Sequence, residues 1–224
     1  MNIKKIGLSA LAGSLVAFSA NAAEMSVAGS ARVGVKNTSN TTGKAWTMGN
    51  QLTFSGSGET DGGLNISLSF VIDQGDDTAI GSGPFDSHSV SIGSDAMGTL
   101  VFSGEGGSSA QSAIDGTAAG DIWANGLGIS SPKASEAGNN SMLYTLPSLM
   151  DDLTLKASYS PSGAEKPNSA TAYSISYAGI EGLTVDYATG ESNTKGSEAD
   201  TTTMKASYAI NSFTLAVSNT EHDL

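Results

Sequence analysis

The chain has no cysteine, so disulfides play no part in its fold and no thiolate metal site is possible. It has two histidines, His88 and His222, and neither has a serine and an aspartate spaced around it as a hydrolase would need. Basic residues are scarce. Setting aside Lys4 and Lys5 in an N-terminal leader leaves 8 basic against 22 acidic residues, a formal charge of −14, with Arg32 the single arginine. So acidic a chain lacks the basic footprint that nucleic-acid binding requires. After residue 22 no apolar run approaches the ~20 residues of a helical membrane span. Any membrane role must therefore use strands. Aromatics make up only 6% of the residues, and Gly, Ser and Thr are abundant.

What is present is ordered. Asn2-Ile3-Lys4-Lys5 is a basic start, residues 6–18 form an apolar core, and Ala20-Asn21-Ala22 is an Ala-x-Ala cleavage site. Residues 1–22 read as a secretory signal peptide, and residues 23–224 as one exported domain. Within that domain apolar residues alternate with polar ones. Met25, Val27, Ala31, Val33 and Val35 interleave with Ser26, Ser30, Arg32 and Lys36; Leu64, Ile66, Leu68, Phe70 and Ile72 interleave with Asn65, Ser67 and Ser69. A period of two predicts strands with one apolar and one polar face. Eleven such segments are expected, beginning near residues 25, 46, 64, 87, 99, 141, 153, 169, 183, 202 and 213.

The connections alternate too. Short turns fall at residues 59–63, 95–98, 147–152, 178–182 and 210–212, and longer polar stretches at 38–44, 73–86, 103–138, 161–168 and 189–201. Short turns at one end and long loops at the other are the pattern of an all-β, antiparallel up-and-down transmembrane barrel. The stretch 103–138 is about 36 residues with neither apolar period; loops of that length inside a domain are usually functional or disordered. Between neighbouring barrel strands its natural place is inside the lumen, narrowing the passage. Most acids are expected in turns and loops. Asp186 is the exception within a strand, and with Arg32, Lys156 and Lys205 it falls on a polar face. Facing hydrocarbon would cost Arg or Lys ~2–4 kcal/mol at mid-depth, so these four are expected to face the lumen.

Several stretches carry a family likeness: the leader followed directly by an amphipathic strand; Gly98-Thr99-Leu100-Val101-Phe102-Ser103-Gly104 before the insert; and Asn139-Asn140-Ser141-Met142-Leu143-Tyr144-Thr145-Leu146-Pro147 after it. In these the chain resembles a Gram-negative general porin of the alphaproteobacterial type. The resemblance implies a sixteen-stranded, usually trimeric outer-membrane barrel for passive diffusion of small hydrophilic solutes and ions, not an enzyme. It implies a third long loop folded into the lumen, with loop acids facing wall basics. Carried onto this chain, the loop acids are Glu105, Asp115, Asp121 and Glu136, with Lys133 placed to pair with one of them; Trp123 is either a wedge between loop and wall or a plain packing residue; the wall basics are Arg32 and Lys156 together with Lys36 or Lys205, and Asp186 shares that wall. The multi-arginine cluster of such porins is absent, so the transverse field is expected to be weaker.

Eleven strands cannot close with both ends on the periplasmic side. Residues 220–224 are expected in an external loop, with roughly five further strands, on the order of 100 residues, needed for a sixteen-stranded wall. Asp73, Asp76 and Asp77 are weak candidates for Ca²⁺ through oxygen ligands, but lack the EF-hand order; no other cofactor is expected. The rival reading is an exported non-channel β protein, an adhesin or surface binding module. It shares the leader and composition but gives no reason for turn lengths to alternate so regularly, and it predicts no outward girdle of apolar residues.

Overall fold

The computed structural model describes residues 24–36, 45–73, 85–114, 116–118, 132–135, 139–162, 168–194 and 197–224. The expected leader and single-domain boundary begin outside them. Among the described residues there are eleven strands: β1 (Glu24–Lys36), β2 (Ala45–Glu59), β3 (Asn65–Asp73), β4 (Phe85–Ser94), β5 (Gly98–Glu105), β6 (Ser141–Thr145), β7 (Leu153–Ser160), β8 (Ser169–Ile180), β9 (Leu183–Thr194), β10 (Ser197–Ile210) and β11 (Phe213–Asp223). They follow one another in chain order without a crossover, as an up-and-down meander requires. No helix among the described residues is long and apolar enough to cross a membrane. Two compact units are formed, Met1–Ile92 and Gly93–Leu224.

In the first unit, β1, β2 and β3 pair antiparallel so that Val27, Phe54 and Phe70 share one row and one face. The Phe54 and Phe70 rings stack with centroids 4.7 Å apart, the kind of cross-strand aromatic pair that stabilises a sheet. The opposite face carries Ser26, Ser55 and Ser69 in one row and Ser30, Gln51 and Asp73 in another.

In the second unit, burial runs opposite to that of a water-soluble protein. On β8, Ala170, Ala172 and Ser174 are buried while Tyr173 and Ile175 between them are exposed; on β10, Thr201 and Thr203 are buried while Met204 and Tyr208 are exposed. Small and hydroxylated side chains are inside, large apolar ones outside. Soluble monomers rarely leave so large an apolar surface uncovered.

The outward band is also slanted. The last large outward apolar residue before the polar rim is Tyr159 on β7, Tyr173 on β8, Tyr187 on β9, Met204 on β10 and Val217 on β11. Tyr159 pairs with Thr171, Tyr173 with Thr189, Tyr187 with Met204, and Met204 with Asn219. The edge therefore moves three two-residue steps toward the turns while crossing four strand intervals. That is ~20 Å along the strands for ~19 Å across them, a slant of about 45°, matching the tilt of strands in a membrane barrel. Tyr159, Tyr173 and Tyr187 line the rim-side edge; Tyr177, Tyr208 and Phe213 lie toward the turn-side edge. These are the two aromatic girdles of such a barrel.

Short turns are built locally. Asp152 and Asn211 take positive φ (62° and 53°), a conformation Asn and Asp tolerate better than most residues. Gly98 (φ 73°) starts β5, where an added Cβ would lie 2.3 Å from the Thr145 carbonyl oxygen, so only glycine fits.

Two expectations are corrected. The polar loop expected at residues 189–201 is largely strand: β9 runs to Thr194 and β10 starts at Ser197, with the two paired end to end. Likewise residues 220–223 continue β11 rather than forming a loop, and His222 pairs with Thr201. Glu191, Asp200 and Asp223 consequently form a row across three strands just beyond the apolar band, so acids are not confined to loops.

Candidate pore constriction

The insert after β5 begins with a tight turn that serine side chains close. The Ser112 amide donates to the Ser109 hydroxyl (2.9 Å), and the Ser109 amide donates to the Ser112 hydroxyl (2.8 Å). The Ala113 amide donates to the Ser109 carbonyl at 2.9 Å. Such side-chain bonds satisfy the backbone groups that a single helix-like turn leaves open.

The turn presents Ala110 and Gln111 to the polar face of the sheet. The Ala110 amide donates to the Ser158 hydroxyl of β7 at 2.8 Å. The Gln111 side-chain nitrogen Nε2 donates to Thr203 Oγ1 of β10 at 2.9 Å, and its Oε1 accepts from the Ser135 amide at 2.6 Å. The hydroxyls of Ser109 and Ser135 lie 2.6 Å apart, so the outgoing and returning limbs of the insert meet at the wall. Thr203 Oγ1 is 3.0 Å from Thr220 Oγ1 of β11. Gln111 is 2% exposed and Thr203 fully buried, and every polar atom of that amide's carbonyl and nitrogen has a partner, as burial demands.

Close seating depends on small wall residues. A Cβ on Gly190 of β9 would lie 2.4 Å from the Ser135 Cβ, so any side chain there would push the returning limb off. Ala170, Ala172 and Ala188 complete the floor.

Of the wall charges, Lys156, Asp186 and Lys205 lie on this same face. Lys156 pairs with Ser174, and Ser174, Ala188, Thr203 and Thr220 continue that row across β8–β11. One row nearer the short turns, Ser176, Asp186 and Lys205 are opposite one another, and the Ser176 hydroxyl donates to the Asp186 carboxylate. Lys156, Asp186 and Lys205 are half-buried. Arg32, opposite Gly49 and out of phase with exposed Val33, is exposed on the polar face of the first unit. Lys36 ends β1 opposite Ala45, and its side chain is not among those described.

On the insert side, Glu105 is corrected: it closes β5 rather than lying in the loop, and is half-buried. Lys133 is exposed, two residues before Ser135. Asp115, Asp121, Trp123 and Glu136 lie outside the described residues, as do Asp76 and Asp77. Asp73 ends β3 opposite Gln51. Among the described residues no three His, Asp or Glu side chains are grouped to hold a metal.

A sheet with greasy residues outside, a tilted apolar band and a loop fastened across its polar face has the layout of a membrane pore. The family model for Gram-negative porins matches residues 7–223. The chain belongs to the Gram-negative porin family. It is an outer-membrane channel protein. No curated protein matches the porin in sequence. Solved structures similar to it include engineered variants of Rhodopseudomonas blastica porin. One is 15% identical with a TM-score of 0.44, a second 13% identical with a TM-score of 0.45, and a third 14% identical with a TM-score of 0.43. Each alignment covers 89% of the porin and 85% of the other chain.

The sequence reading of the porin missed Gln111, Ser135, Thr203 and Gly190. Gln111 is the only glutamine of the insert, but Asn125 is a second neutral amide there, so residue type alone singled out no position.

Proposed function

We propose that the porin passes small hydrophilic solutes and ions by diffusion through a lumen narrowed by the insert, with a mild cation preference. The observation that carries this reading is the seating of residues 109–111 and 135 on the polar face of β7, β9 and β10, while the opposite face exposes Tyr173, Tyr187, Met204 and Leu215. An acidic chain with few basic residues supplies fixed negative charge, and fixed charge with lumen width sets selectivity in such pores. Asp115, Asp121 and Glu136 are the loop acids of this scheme, and Lys156, Asp186 and Lys205, with Arg32 and Lys36, its wall charges.

The wall lining near the insert is hydroxyl-rich, with Ser158, Ser174, Ser176, Thr203 and Thr220, which suits solutes that exchange water hydrogen bonds for protein ones. No covalent step and no cofactor are needed. The porin works as a homotrimer in outer-membrane lipid. The test is single-channel recording in planar bilayers with a salt gradient, together with swelling of vesicles in sugars of increasing size. Stepwise conductance, a cation-positive reversal potential and a size cut-off support the reading. Vesicle-inserted protein that admits neither salt nor sugar overturns it, and elution as a compact monomer from detergent-free buffer would instead favour a surface binding module.

A further inference from the structure

We propose that Gln111 is the positioning residue of the channel: a single uncharged side chain ties both limbs of the insert to the wall, and the gauge of the passage depends on that amide being neutral. The inference rests on reading the insert as the constriction. Gln111 sits on the outgoing limb, accepts from the Ser135 amide on the returning limb and donates to Thr203 on β10.

The residues that make up this attachment share one property. Ser109, Ser135, Ser158, Thr203 and Thr220 are uncharged, and the charged pair of Asp186 opposite Lys205 lies one row away, toward the turns. An attachment made of neutral groups is not screened by salt and does not titrate. It holds the insert in place across the swings in ionic strength and acidity met at a cell surface. A charged clasp would loosen under the same swings.

Glutamine is the side chain that fits, because its two ends do opposite jobs in one planar group. Methionine, of similar length, would leave the buried Ser135 N–H without an acceptor. Glutamate keeps the shape but changes with pH. Protonated, it can donate to Thr203 and accept from Ser135; ionised, it places an unpaired charge in a buried spot, which pushes its pKa up. A group with a raised folded-state pKa supports the clasp below that pKa and withdraws support as pH rises through it. Among the described residues the other titratable groups on this face are Glu105 on β5, Lys156 on β7, Asp186 on β9, Lys205 on β10, His222 on β11 and Lys133 on the insert; β8 contributes only Ala and Ser to it. These are unchanged in the variant, so the unmodified channel recorded over the same range accounts for them.

The experiment is single-channel recording of the refolded full chain and of Gln111→Glu. At about pH 8, where the introduced carboxylate ionises, open-channel noise should rise at least about two-fold over the unmodified porin, and near pH 5 the two traces should coincide. Traces that coincide at both pH values, in channels that conduct, overturn the role of Gln111 while leaving the porin reading intact; absence of conduction by the unmodified chain strikes that reading instead. Should Gln111→Glu fail to insert, the double variant Ser109→Cys, Ser135→Cys decides. The two hydroxyl oxygens are 2.6 Å apart, so the two side chains meet, and the chain has no cysteine of its own to compete. Complete disulfide formation on mild oxidation is expected; failure of the two thiols to join in the inserted protein shows that the limbs do not meet at the wall and overturns the proposal.

Discussion

Replacing Ile175 by arginine tests which face meets hydrocarbon. Ile175 lies on β8 between Leu155 of β7 and Tyr187 of β9. Its row falls between those of Tyr173 and Tyr177, near the middle of the outward band, and 40% of its surface is uncovered by protein. An arginine at mid-depth costs ~2–4 kcal/mol in a membrane barrel, between about 30-fold and about 700-fold in the folding equilibrium at ~1.4 kcal/mol per tenfold. Thr154 is the matched control. It pairs with Ser176 on the polar face and neighbours Leu155 in sequence, so Thr154→Arg places the same side chain at nearly the same height but toward water. Its cost should stay within about 0.5 kcal/mol, as for substitutions at wet surfaces. Urea-titrated folding into phosphatidylcholine vesicles, followed by protease protection, measures both. Equal shifts for the two variants, or a larger one for Thr154→Arg, would refute the assignment of faces, and with it the lipid-facing band.

Gly190→Val should displace the returning limb, because the new Cβ collides with that of Ser135; overpacking of this kind costs ~1–3 kcal/mol, and protease cleavage within the insert should accelerate. Unchanged cleavage would mean that the limb is not seated there. Neutralising Asp115 and Asp121 together with asparagine should lower the cation-to-anion permeability ratio, and a reversal potential that does not move removes both from the pore. Asp186→Asn and Lys205→Met should move the reversal potential in opposite directions, since the two face each other across β9 and β10; shifts of the same sign would place one of them off the conduction path.

The strands were legible because alternation is a property of near neighbours. All eleven segments expected from the period of two are strands, and each outward residue such as Phe54, Leu68, Tyr173 or Leu215 is on the face its phase assigns. The reading failed where strands leave the lipid. Beyond Tyr187 and Met204 the outer face leaves the lipid while the inner face carries small and hydroxylated residues, several of them buried, so residues 189–194 and 197–203 carry no apolar period. The hydrogen-bond ladder continues regardless. Glu105 was misplaced for the same reason, since β5 extends past its last apolar residue.

Sequence by itself decided that this chain is a sheet with one face for lipid and one for water, because each strand must answer to both solvents within two residues. It also marked the insert as exceptional, through the lack of any period. Where the insert goes was decided only in three dimensions. Gln111 and Thr203 are 92 residues apart, both polar among many polar neighbours, and nothing local distinguishes them. Their pairing follows from strand register, which brings Ser158, Ala172, Gly190 and Thr203 into one shallow floor, and from the size of the side chains there, which lets a single buried amide reach across.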